Sequence, residues 1–297
     1  MKKDIILYLS ILLFVSCEMG EKPNKPDNAL PGLFSVSPTE QVRFSPGNLQ
    51  YQASTDTWRF AINQYDVVGA DNANIAPNYE GWIDLFGWGT SGYEGCEPYL
   101  TSTDASLYGI DESIDSTSYD WGVYNAISNG GNSADMWRLL TKDEWGYLLH
   151  ERIGASDLLG VGRVVGVNGL ILLSDDFVLP DSIEFRHAVA SDSGEDLYRM
   201  VNDYTEDEWA RMEAAGAVFF PAAGARLGTR VMYTAVAGYY WSSTPFEYDD
   251  VSVYCMGFDS SRAVWEGLSN RTNGRSVRLV RKSSYWFNRK RYLYRII

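Results

Sequence analysis

The sequence predicts an α+β fold of short antiparallel strands with two helices and long irregular loops. Strand-like runs come first and last along the chain, and two strongly capped helices and a hairpin signal lie between them.

Phe34 to Ala61 reads as a β-meander. Gln41–Phe44, Leu49–Tyr51 and Trp58–Phe60 alternate apolar and polar residues, with turn chemistry at 45–48 and 54–57. Residues 64–135 show no period but are rich in Gly, Asn, Asp and aromatics, so the expectation is a long irregular stretch packed on its own rings. Helix starts follow at Leu140-Thr-Lys-Asp-Glu-Trp145 and Tyr204-Thr-Glu-Asp-Glu-Trp209. In each, a Thr precedes a Glu by three residues, which is a capping box. An apolar pair five apart brackets it as a staple. The first helix is expected to run to about Arg152 and the second to Ala215, where Gly216 ends it. Between them, Val164–Val167 and Leu170–Leu173 flank Asn168-Gly169, the signal for a two-residue hairpin turn. Ala217–Phe220 reads as a short buried strand, and Tyr239–Trp241, Ser252–Phe258, Ala263–Trp265 and Ser276–Arg281 as the last ones.

The N-terminus reads as a targeting signal. Lys2 and Lys3 precede an apolar run from Ile5 to Val15 that is too short to cross a bilayer as a permanent helix. The run ends in Val15-Ser16-Cys17, which resembles a bacterial lipobox. That resemblance implies a lipoprotein signal peptide over 1–16, lipidation (palmitate included) at Cys17 and a place in the cell envelope, at the outer membrane. Residues 17–32 read as a flexible tether and 33–282 as the folded domain. Residues 283–297 form a basic, aromatic tail with Arg289, Lys290, Arg291, Arg295 and no acid. Docking on the acidic body, or contact with lipid or a partner, is expected of it.

Composition narrows the function. With 25 Lys+Arg against 39 Asp+Glu the net charge is −14, which argues against a nucleic-acid partner. Two histidines exclude a multi-histidine metal site and three cysteines a four-cysteine zinc site. No cofactor motif, metal-ligand set or catalytic set emerges.

Trp137-Arg-Leu-Leu-Thr-Lys-Asp-Glu-Trp145, Gly238-Tyr-Tyr-Trp-Ser-Ser-Thr244, Gly257-Phe-Asp-Ser260 and Gly274-Arg-Ser-Val-Arg-Leu-Val280 together resemble the family named for the Fibrobacter succinogenes major paralogous domain. The resemblance covers about residues 136–282. It extends to the formylglycine-generating-enzyme group and so implies a C-type-lectin-like fold. The catalytic branch of that fold uses a closely spaced cysteine pair, whereas Cys255 here stands alone and Cys96 is far off in sequence. The implied role is therefore a non-catalytic binding or surface-interaction module for a glycan or protein. The alternatives are an enzyme on the formylglycine-generating-enzyme scaffold and a structural envelope component. Relatives with this fold bind ligands through their terminal loops. That makes Tyr248, Asp249, Trp265 and Arg271 the candidate ligand-binding residues: two flat rings, one acceptor and one planar donor. The competing reading makes Trp265 a core strand residue and pairs Arg271 with a nearby acid.

Overall fold

The structure, a computed structural model, describes residues 28–283. Cys17, most of the tether and the tail from 284 onward lie outside them. Strands β1 (Phe34–Ser35), β2 (Gln41–Phe44), β3 (Leu49–Gln52) and β4 (Thr57–Phe60) come first. Helices α1 (Trp121–Tyr124) and α2 (Lys142–Gly146) follow, then β5 (Leu159–Val164) and β6 (Val167–Leu172). After α3 (Tyr198–Val201), β7 (Asp203–Tyr204) and α4 (Glu206–Ala214) come β8 (Val218–Pro221), β9 (Ala225–Leu227) and β10 (Arg230–Met232). The chain closes with β11 (Ala237–Pro245), β12 (Ser252–Asp259), β13 (Arg262–Asn270) and β14 (Val280–Lys282). These form small, mostly antiparallel sheets, an α+β arrangement. No helix among the described residues is long and apolar enough to cross a membrane.

Both capping boxes form. Thr141 Oγ1 accepts from the Glu144 N–H, and Glu144 Oε2 accepts from the Thr141 N–H at 2.8 Å. Thr205 and Glu208 repeat the device on α4. Beyond Gly146 the first helix widens into one π turn, Tyr147–Glu151.

The first four strands do not make one meander. β3 pairs with β4, but β2 pairs with β1 and β14. The returning C-terminal segment takes the place of a β2–β3 ladder: Ser45 N–H donates to Leu279 O and Leu49 N–H to Val277 O, each at 2.9 Å. The hairpin β5–β6 exists, but its turn is Val165-Gly166, both at positive φ, and not Asn168-Gly169. Gly169 lies inside β6, where the paired strand β8 comes close: a Cβ there would clash with the Phe219 ring and Phe220 O. The Asn168 amide instead donates to Glu195 O and Ala235 O. Packing begins before residue 33. Leu30 is buried and donates its N–H to Phe44 O at 2.9 Å, so residues 28–32 belong to the fold and not to a free tether.

Three apolar clusters hold the sheets. Phe44, Trp145, Phe220 and Tyr240 centre the first, Trp58, Phe86, Trp121, Trp137 and Trp241 the second, and Trp209 with Phe219 the third. The sheet β11–β12–β13 joins the first two: Val253 and Cys255 enter one cluster, Met256 and Phe258 the other. This fixes one end of the sheet, where the 246–251 loop connects β11 to β12.

Candidate functional site

The 246–251 loop is short and internally pinned. Asp249 Oδ1 accepts from Val251 N–H at 3.0 Å and Ser252 N–H at 2.6 Å. Desolvation would raise the Asp249 carboxyl, but these N–H groups, with the Arg271 charge, hold it below the usual carboxylate range. Tyr248 is 81% exposed. Its ring lies 5.3 Å from Phe246, which lies 5.5 Å from Tyr254. Tyr254 OH donates to Glu247 at 3.0 Å, and Lys142 Nζ stands 4.6 Å above the Tyr254 ring. An exposed tyrosine ring, braced edge to face by Phe246 and edged by acid and base, therefore sits at the sheet end.

Arg271 belongs to the same end, since its N–H donates to Val251 O at 2.9 Å. Its guanidinium turns inward and is 1% exposed. Nη1 donates to Tyr108 O at 3.2 Å and Asp111 Oδ1 at 3.1 Å, with Trp88 5.3 Å away. Only Nη1 is thus engaged; Nε and Nη2 are buried without a hydrogen-bond partner. Trp265 lies six residues back along β13, roughly 20 Å away. Its half-buried ring packs 4.0 Å from His150 and covers Gly146. Of the four candidates, the structure brings Tyr248, Asp249 and Arg271 to one end of the sheet, presents the first two to solvent and leaves Trp265 apart.

The two described cysteines are free and buried. Cys96 Sγ lies 3.4 Å from Leu107 O, and burial raises its thiol. Burial pushes Cys255 up to about 11, against a smaller lowering by Arg275. Neither thiol has the electropositive, accessible setting that makes cysteine reactive. Asp175 is a hub that accepts from Ser35, Gln41 and Arg152. Among the described residues no group of three or more His, Cys, Asp or Glu is placed to hold a metal ion.

Surface grooves lie elsewhere among the described residues. One, of about 400 Å³, is lined by Glu184, Arg186, Arg199, Asn202 and Tyr204. Two of its polar groups are used internally: Asn202 Nδ2 donates to Val161 O and Arg186 O, and Tyr204 OH to Glu184 O. The other, of about 370 Å³, is lined by Met136–Arg138 and Val280–Lys282, which are bridged at Arg138 and Val280. Arg138 there is held by Glu40 and Glu144.

Within the expected packing of 64–135 on its own rings, loop 92–96 brings together Tyr93, Tyr119 and Tyr124 with Glu94, a cluster that sequence reasoning did not single out as a site. Its only signal was Gly92 and Gly95 around Tyr93-Glu94. No protein family, curated protein or solved structure matches the chain.

Proposed function

We propose that this is an exported, lipid-anchored, non-catalytic binding module on a C-type-lectin-like fold, engaging a glycan or a protein surface through the end of the β11–β12–β13 sheet. The observation that carries the reading is Tyr248: a large ring, 81% exposed, braced by Phe246 on a loop that Asp249 pins from within. An exposed aromatic on a pre-ordered loop loses little entropy on binding and supplies the flat contact that binding hot spots use. The short antiparallel strands, the two capped helices and the long loops support the lectin-like reading. Anchoring rests on the apolar run ending at Cys17, and places the module on the envelope, at the outer membrane.

The formylglycine-generating alternative needs a cooperating cysteine pair. Cys96 beside Leu107 and Cys255 beneath Gly267 are separate, buried thiols. Glycan and protein arrays probed with the full chain, alongside a cysteine-oxidation assay with copper, separate the readings. Saturable array binding without turnover supports the module. Turnover lost in Cys255→Ser establishes the enzyme. Neither result, with co-purification of envelope partners, establishes a structural component.

A further inference from the structure

The tyrosine cluster lies outside the sheet-end site and shares no residue with it. Gly92, Glu94 and Gly95 all have positive φ, at 93°, 49° and 83°. A glutamate bears that conformation at a cost, so the surrounding contacts hold the loop in place. Gly92 N–H donates to Cys96 O, and Cys96 N–H to Tyr93 O. Ser91 Oγ donates to Ser118 O at 2.7 Å and Asn125 Nδ2 to Ser91 O at 2.9 Å, tying the loop to the segment that carries the other two rings.

Tyr93 meets Tyr119 at 5.1 Å and 88°, and Tyr124 at 5.3 Å and 66°. The rings therefore meet edge to face at steep angles. Tyr119 rests on the second core cluster, while Tyr93 and Tyr124 lie outside all three clusters, and Tyr124 is 44% exposed. Core filling does not account for them. Glu94 accepts from Tyr119 OH at 2.8 Å and forms no ion pair among the described residues. That contact, then burial, pushes the Tyr119 phenol up to about 12. The segment itself is acidic: no Lys or Arg occurs between Arg59 and Arg138, whereas Glu94, Glu97, Asp104, Asp111, Glu112 and Asp115 fall in the middle of that stretch, Asp111 being paired with Arg271.

Angled ring faces carrying negative quadrupoles, a carboxylate at the rim and an anionic field suit a weakly hydrated cation. A single carboxylate among phenols is a poor set for calcium, which takes six to eight oxygens. We propose that Tyr93, Tyr119 and Tyr124, with Glu94, bind a quaternary ammonium group. Such a group has no N–H to place, so it needs ring faces and nearby negative charge and no acceptor geometry.

The test is calorimetric titration of the full chain with choline and with its neutral isostere 3,3-dimethylbutan-1-ol. Choline is expected to bind at least roughly tenfold tighter, and Tyr124→Leu and Glu94→Gln each to weaken it several-fold. Thermal melts check that both variants fold. Phosphocholine and an N-trimethyl-lysine peptide, titrated in parallel, distinguish a headgroup source from a protein source. Equal binding of choline and the isostere, absence of saturable choline binding, or parent-like affinity in both folded variants would overturn the assignment. Each of those results leaves the sheet-end reading standing.

Discussion

Trp265→Ala separates a packing role from a binding role at a residue that could serve either. The indole is half-buried, lies against the first core cluster and meets the His150 ring at 4.0 Å. Removing a fully buried Trp costs about 3–5 kcal/mol. Half of that, plus an aromatic contact of about 0.5–1.5 kcal/mol, gives a loss of roughly 2–4 kcal/mol. Gly146 sharpens the test. It has helical φ and ψ, and a Cβ there would lie 3.0 Å from the Trp265 ring. In the parent, Gly146→Ala should be neutral or destabilising because the indole must give way. In the Trp265→Ala background it should stabilise by about 1 kcal/mol, the helix preference of Ala over Gly. Urea melts of the four proteins give the cycle. His150 supplies a second readout. Burial lowers its pKa, opposed by Glu151 and Glu266. Depression of a base makes the fold lose stability as pH falls from the unfolded histidine value toward the lower folded one. Trp265→Ala should raise the His150 pKa, measured by NMR titration, and flatten that loss. An unchanged melt, an unchanged His150 titration and a Gly146→Ala effect independent of Trp265 would refute the packing account.

Thr141→Ala and Thr205→Ala should each cost about 1 kcal/mol in denaturant melts, and additively, because the two capping boxes share no partner. Gly169→Ala should cost about 1–3 kcal/mol through its clash with Phe219 and Phe220, and Gly166→Ala about 1–2 kcal/mol through its positive φ alone. A neutral Gly166→Ala would return the hairpin turn to Asn168-Gly169. Cys17→Ser should abolish incorporation of labelled fatty acid and leave an unprocessed precursor; persistent labelling removes Cys17 as the anchor.

What the sequence made legible was local. A capping box needs a Thr and a Glu three residues apart, so both helix starts could be located from that spacing. The hairpin was visible in its apolar arms, but its turn was displaced by tertiary demands: β8 required Gly169, and two distant carbonyls required Asn168. The split of the first four strands depends on residues 277–280 returning from the far end of the chain, which no local pattern records. Arg271 is settled by Tyr108 and Asp111, about 160 positions away. The ring content of 64–135 announced local aromatic packing, but which tyrosines meet Glu94 depends on segments 25 residues apart in a stretch without periodicity. The exposed loop residues Tyr248 and Asp249 were legible because turn chemistry and burial follow from local composition.

The central claim is that the sheet end binds. Its most direct test is a pair of binding isotherms, for the parent and for Tyr248→Ala, against the strongest array ligand. With Tyr248 this exposed, the variant should melt within about 0.5 kcal/mol of the parent. The account predicts that it binds at least roughly tenfold more weakly, the loss of an aromatic hot spot. Parent-like affinity in a normally folded Tyr248→Ala protein would contradict it.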